Sequence, residues 1–155
     1  MSFQISGLRA AQFASLRGLT DAQLAAHEAR RVVADRHPGF PCRVSLVDAQ
    51  PGERVLLLNY EHLPVASPYR ARYAVYVREN ARDARLAVNE IPPVLHGRLL
   101  SLRAFSAAGM LLDADVAQDT SLTPTIERLL SSADVAYLHV HNARPGCFAA
   151  RVDRA

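Results

Sequence analysis

The densest cluster of chemically versatile side chains in this chain lies between positions 137 and 148. The segment reads YLHVHNARPGCF and brings together His139, His141, Arg144 and Cys147. Its β-branched and aromatic residues predict an extended strand, in which successive side chains alternate between the two faces. We therefore expect His139 and His141 to share one face and to project together into an accessible hollow.

Arginines elsewhere in the sequence could complete an anion-binding site beside these imidazoles. A planar guanidinium forms paired hydrogen bonds to carboxylate or phosphate groups. Arg70 is one such candidate, and Arg43 joins Arg144 if the sheet brings the two together. The alternative is that the arginines pair with acids at the surface. The predicted ligand-binding residues are His139, His141, Arg144, Arg70, Asn59, Tyr60, Glu61 and His62.

A metal site is the second chemistry open to the same histidines. Two neutral imidazoles on one strand face could supply two of the three or four ligands that a transition metal needs, with a further His, Cys or Glu completing the set. The spacing does not require a metal, and Arg144 would repel a cation. We predict no metal and keep His139 with His141 as the alternative.

Nucleophilic catalysis is the third chemistry. Cys147 follows a glycine and lies near His139, His141 and Arg144, and neighbouring positive charge raises the reactivity of a thiol. In this hypothesis either histidine acts as general base and Cys147 as nucleophile. The competing interpretation is inert packing, because cysteine is among the residue types most often buried. The sequence leaves open whether the protein is an enzyme and which cofactor, if any, it uses.

Several function classes are excluded or disfavoured by composition. All 18 basic residues are arginine, so lysine Schiff bases and the phosphate-binding loop that ends in Gly-Lys-Ser/Thr are impossible. The motifs Gly-x-Ser-x-Gly and Gly-x-Gly-x-x-Gly are absent. Scattered charges and 6% aromatic residues without tryptophan predict no nucleic-acid partner. No apolar run approaches the roughly 18 residues of a membrane span, so we predict no membrane partner.

The two cysteines and the absence of a secretory signal predict a cytoplasmic protein. Cys42 and Cys147 lie far apart and form neither a disulfide framework nor a closely spaced zinc pair. The predicted partner is a small anionic molecule. A protein-interaction module, formed as a homodimer through an exposed edge strand, is the alternative.

Two short helices are predicted from capping signals. Thr20 and Gln23 have the spacing of a capping box, so a helix should begin there and end near residues 27–29. Thr123 followed by Pro124 predicts an N-cap with proline at the first helical position, and this second helix should end by Ala133.

The remaining apolar segments predict strands joined by short turns. Ser106 to Gly109 has the composition of a hairpin connection, with Gly109 available for positive φ. Together these elements predict one α+β domain over residues 1–155, with a largely antiparallel, curved sheet. A partly closed barrel is one form that this sheet could take. The predicted strands are 42–47, 54–60, 71–78, 99–105, 110–116, 135–142 and 148–153.

Four stretches also resemble a known family. They are PGFPCRVSL from residue 38, PGERVLLLNYEH from residue 51, SPYRA from residue 67, and the tail from His139 to Arg154. The pattern resembles an uncharacterised bacterial family catalogued as domain of unknown function 1203. The resemblance covers nearly the whole chain and implies a small single-domain bacterial protein. It implies no activity, substrate or catalytic residue.

Overall fold

Two antiparallel sheets and a few short helices make up the computed structural model, which describes residues 1–155. The strands are β1 (Phe3–Ser6), β2 (Ala29–Val33), β3 (Arg54–Leu63), β4 (Ala71–Arg78), β5 (Leu100–Phe105), β6 (Leu111–Ala117), β7 (Tyr137–Asn142) and β8 (Phe148–Arg154). The helices are α1 (Asp21–Ala26) and α2 (Leu122–Leu130), with 3₁₀ turns at Ala10–Leu16, Pro93–Leu95 and Asp119–Ser121.

The eight strands form two separate sheets. One sheet has five strands in the order β1-β8-β7-β5-β6, and the other has three strands in the order β2-β3-β4. The predicted α+β class with antiparallel strands is confirmed, and neither sheet closes into a barrel. Single-domain organisation stays a prediction.

The first helix follows its capping signal closely. The Thr20 hydroxyl accepts a hydrogen bond from the Gln23 backbone N–H at 3.2 Å, and the Gln23 amide oxygen accepts one from the Thr20 N–H at 2.9 Å. These reciprocal contacts satisfy backbone donors at the start of a helix, which then ends at Ala26. The predicted start of α1 is confirmed, and its last residue lies one position before the predicted end at residues 27–29.

The second helix begins earlier than predicted. Its first residue is Leu122, so the prediction of an N-cap at Thr123 was wrong. A 3₁₀ turn leads into α2, and the Ser121 hydroxyl there accepts a hydrogen bond from the Gln118 backbone N–H. This turn starts the helical path before Pro124 is reached. The end at Leu130 agrees with the predicted stop by Ala133.

One predicted strand is absent and two strands were not predicted. Residues 42–47 form a turn with only isolated bridges at Pro41 and Cys42, because the chain bends back and Leu46 adopts a φ of 54°. Burial of the apolar side chains in this segment gave the false strand pattern. The unpredicted strands are β1, whose four residues are too few for a clear alternation, and β2, which follows α1 after only two residues. The hairpin with Gly109 at a φ of 72° is confirmed.

Each sheet has its own apolar core. Helix α2 covers one face of the five-stranded sheet, packing Ile126 and Leu130 in one cluster with Leu102 and Val140. The three-stranded sheet packs against the first 3₁₀ turn and α1 through a second cluster that includes Leu24. No helix is long and apolar enough to cross a membrane, and the longest has nine residues.

The two sheets meet along a seam that positions the site. The end of β3 packs on the uncovered face of the five-stranded sheet, where Leu63 joins Phe105 and Tyr137 in one cluster. A parallel bridge between Cys42 and Tyr76 connects the loop before β3 to strand β4. The same loop continues into Arg43, which reaches across to β8. Side chains of both sheets are therefore close to one another along this seam.

Candidate functional site

A pocket of about 690 Å³ opens at the seam and takes its walls from both sheets. We call it the seam pocket. None of its lining residues is Asp or Glu, whereas three are arginine. Its walls are Gly39, Pro41, Arg43, Leu57, Tyr73, Ala74, Tyr76, Gly97, Arg98, Leu99, Gln118, Asn142, Arg144, Pro145 and Cys147.

Arg43 is the most unusual of these residues because it is only 2% exposed and has no carboxylate partner. Its Nε donates to the carbonyl of Phe148 at 2.7 Å, and its Nη1 donates to the carbonyl of Pro41. Its Nη2 lies 2.9 Å from the Sγ of Cys147. Burial lowers the pKa of the Arg43 guanidinium, yet an arginine remains protonated in proteins. A buried positive charge therefore lies at the wall of the pocket.

The other two arginines differ in how far they are neutralised. Arg98 forms a bidentate pair with Asp48, at 2.7 and 3.0 Å, and Asp48 lies outside the pocket lining. Arg144 is exposed in the loop between β7 and β8 and makes no ion pair. The pocket thus carries positive charge from Arg43 and Arg144 that no neighbouring acid balances, which attracts anions.

Polar groups of the β7–β8 hairpin complete the wall. The Nδ2 of Asn142 lies 3.4 Å from the Sγ of Cys147, and both residues are 7% exposed. The Oδ1 of Asn142 is buried without a hydrogen-bond donor. A buried acceptor left unmatched costs about 1–3 kcal/mol.

The predicted histidine pair forms a buried cluster next to the pocket. His139 and His141 share one face of β7, and His62 from β3 lies against them with ring centroids 6.1 and 5.0 Å away. Phe148 stacks on His62 at 5.6 Å. A bulge between Val140 and His141 shifts the β7–β8 register, which allows Phe148 to join the histidines.

Burial keeps the two histidines of β7 neutral. Desolvation lowers the pKa of His139 to about 3, with the charges of His141 and His62 as further causes. It lowers the pKa of His141 to about 3 as well, against the opposing effect of a 2.9 Å hydrogen bond to the carbonyl of Gly146. Burial, followed by the positive charge of Arg103, lowers the pKa of His62. None of the three favours the charged form.

The expectation of an accessible pair of imidazoles was wrong. His139 is 3% exposed and His141 is 1% exposed, because the end of β3 and Phe148 cover that face of the sheet. His141 instead contacts the loop between β7 and β8. Its Nδ1 contacts Gly146, in the loop that carries Arg144 and Cys147.

The remaining predicted residues are distributed over three places. Arg144 lines the seam pocket, whereas Arg70 is held by an ion pair with Glu61 at the surface. Asn59 accepts a hydrogen bond from Arg72, and Tyr60 accepts one from Gln12. His62 belongs to the buried cluster. The structure therefore does not bring Arg70 into a shared cavity with Arg144.

Sequence reasoning missed Arg98 and the two tyrosines of β4 that line the pocket. Tyr73 and Tyr76 lie on a segment that the sequence marked only as a strand. Arg98 follows a loop with no motif. Asn142 stood inside the cluster at 137–148 but lacked a signal that set it apart from its neighbours.

No group of three or more His, Cys, Asp or Glu side chains has the arrangement needed to hold a metal ion. The histidine cluster contains three imidazoles, but Phe148 stacks on His62 and Phe105 lies edge-on to His139.

The fold and the pocket define an α+β protein with two antiparallel sheets and an arginine-lined cavity between them. A family model described as "Protein of unknown function (DUF1203)" matches residues 39–154, and the chain belongs to that family. Comparisons with curated proteins and with solved structures gave no match. The matched region contains every residue that lines the seam pocket.

Proposed function

We propose that this protein binds a small anionic molecule in the seam pocket. The observation that carries the proposal is the unbalanced positive charge of Arg43 and Arg144 in a cavity without an acidic wall. A cavity of about 690 Å³ also falls within the usual size range of small-molecule sites. Recognition of a carboxylate or phosphate by guanidinium groups is the chemistry that this wall offers.

The roles of the individual residues follow from their exposure. Arg144 is free to contact the anion directly, and Arg98 adds a second guanidinium that Asp48 keeps in place. Arg43 contributes its charge from the buried wall. His141 holds the loop that presents Arg144, through its contact with Gly146. In this proposal His141 positions the loop, and Arg144 and Arg98 contact the anion.

Titration calorimetry with phosphate and citrate tests the proposal. We expect saturable binding to the wild-type chain, and an affinity about tenfold lower for Arg144→Gln, since a hydrogen bond to a charged group contributes about 1.5–3 kcal/mol. Arg82→Gln is the matched control, because Arg82 is exposed and lies outside the pocket. The proposal fails if neither anion binds, or if the two variants bind equally well.

The second candidate function is protein interaction through a homodimer, and one observation favours it. Strand β6 is a free edge of the five-stranded sheet, and its Leu112 and Val116 are 46% and 59% exposed. Such an edge can pair with a second copy, although Asp113 and Asp115 on the same strand oppose this.

Light scattering after size exclusion tests the edge-strand candidate. A dimer that becomes a monomer on Val116→Arg supports it, because a charge in place of this exposed apolar side chain would disrupt pairing. A wild-type monomer at micromolar concentration rejects it.

We further propose a cytoplasmic location, where Cys42 and Cys147 stay reduced. Both are buried free thiols in the structure. Compartments with a reducing glutathione pool maintain such thiols. The enzyme alternative, with Cys147 as nucleophile, shares the seam pocket with the binding proposal.

A further inference from the structure

The sulfur of Cys147 accepts hydrogen bonds from two nitrogen donors at the wall of the seam pocket. The Nη2 of Arg43 lies 2.9 Å away and the Nδ2 of Asn142 lies 3.4 Å away. A thiolate is a far better acceptor than a thiol, and a guanidinium beside it supplies the opposite charge. The two donors hold the sulfur of Cys147 at the wall of the pocket, with the guanidinium of Arg43 beside it. Cys42, by contrast, receives only backbone N–H groups, at 3.3 and 3.5 Å.

The pocket itself supplies an independent indication of a ligand next to this sulfur. Asn142 is more than nine-tenths buried, lines the pocket, and has an Oδ1 without a donor. With its Nδ2 turned to Cys147, this amide fixes the position of the sulfur at the pocket wall. Arg144 lies in the same wall and offers a guanidinium to an anionic group.

We propose that Cys147 is a reactive thiol that forms a covalent bond with a small anionic molecule carrying an electrophilic carbon, held by Arg144 in the seam pocket. This inference rests on the proposed function, because the anion site is what brings the electrophile to the sulfur. Arg43 is a positioning residue that holds the sulfur and balances its charge. Carboxylates with a leaving group on the adjacent carbon belong to this class of ligand.

The covalent step needs no reactant beyond the protein and the electrophile. The thiol proton leaves to water, and the thiolate sulfur donates its electron pair to the electrophilic carbon. The sulfur–carbon bond forms as the bond from carbon to the leaving group breaks, and the leaving group departs with that electron pair. The total charge is unchanged by the transfer. With iodoacetate the product is carboxymethylated Cys147 and free iodide.

Competitive alkylation of the folded chain tests this inference with two reagents of equal size and different charge. Iodoacetate carries a carboxylate, whereas iodoacetamide is neutral. Peptide mass spectrometry reports the rate at Cys147 and at Cys42 separately. We expect Cys147 to react in the folded chain while Cys42, which is 0% exposed, does not. We expect the iodoacetate-to-iodoacetamide rate ratio at Cys147 to exceed that of the urea-unfolded chain by about tenfold, as a charge-assisted contact predicts.

Three variants separate this inference from the proposed function. Arg144→Gln should remove the preference for iodoacetate, and Arg82→Gln should retain it. Cys147→Ser should still bind citrate in calorimetry. An unreactive Cys147 in a chain that binds citrate overturns the inference and leaves the proposed function standing. A rate ratio equal to that of the unfolded chain also overturns it, and if citrate then fails to bind as well, both proposals fall.

Discussion

Lowering the pH from 7 to 5 is expected to reduce the free energy of unfolding by about 4 kcal/mol. The pKa values of His139 and His141 are about 3 in the folded chain, and an unfolded histidine has a pKa near 6.5. The unfolded state therefore binds more protons between these values, so stability is fully present above pH 6.5 and falls as the pH drops toward 3. Each histidine contributes about 2 kcal/mol to the loss at pH 5.

Urea unfolding followed by circular dichroism at pH 7, 6 and 5 measures this loss. His139→Gln keeps a polar side chain but does not titrate, so it should show about half the wild-type decrease between pH 7 and 5. His37→Gln is the control, because His37 is exposed and its removal should leave the decrease unchanged. A wild-type chain equally stable at pH 7 and pH 5 would refute the buried neutral state of the cluster.

Replacing Arg43 with methionine is expected to destabilise the chain by about 2–4 kcal/mol. The change removes charged donors from the carbonyls of Phe148 and Pro41 and from the sulfur of Cys147, all in a buried setting. Loss of a buried charge offsets part of this cost, which is why the expected value stays below the sum of three such contacts. Thermal and urea unfolding at pH 7 measure the change.

Arg144→Met provides the matched control in the same pocket. Arg144 is exposed and unpaired, so this substitution should change the free energy of unfolding by no more than about 0.5 kcal/mol. If the two variants are equally stable, Arg43 does not connect the loop at residues 41–43 to β8 in the way described. If only Arg43→Met is destabilised, the structural and ligand-facing arginines are separated experimentally.

Local signals in the sequence were sufficient for most of the secondary structure. The capping box at Thr20 and the glycine at 109 fix the backbone through contacts made within a few residues, so their effect is visible in the chain itself. The segment at 42–47 misled because its apolar side chains are buried by a bent backbone rather than by a strand. Strand pairing depends on contacts between distant residues, such as Phe3 with Arg154, and was not predicted.

The site was less predictable because it also depends on contacts between residues that are distant in the chain. Alternation correctly placed His139 and His141 on one face, but only the packing of β3 against that face decides that both rings are covered. The pocket lies where two sheets meet, so Arg43 and Cys147, which are 104 positions apart in the chain, become neighbours. No spacing rule relates two such residues. Arg144 was found because it stands within the same short segment as the histidines.

A molecule bound in the seam pocket would contact side chains from both sheets at once. Because it can bind only when both sheets are assembled, mass action raises the melting temperature in proportion to the logarithm of its concentration above Kd. A hundredfold excess over Kd would add about 2.7 kcal/mol to the folded state. Melting-curve surveys of metabolite collections therefore offer a direct route to the natural occupant, with no assay of turnover required.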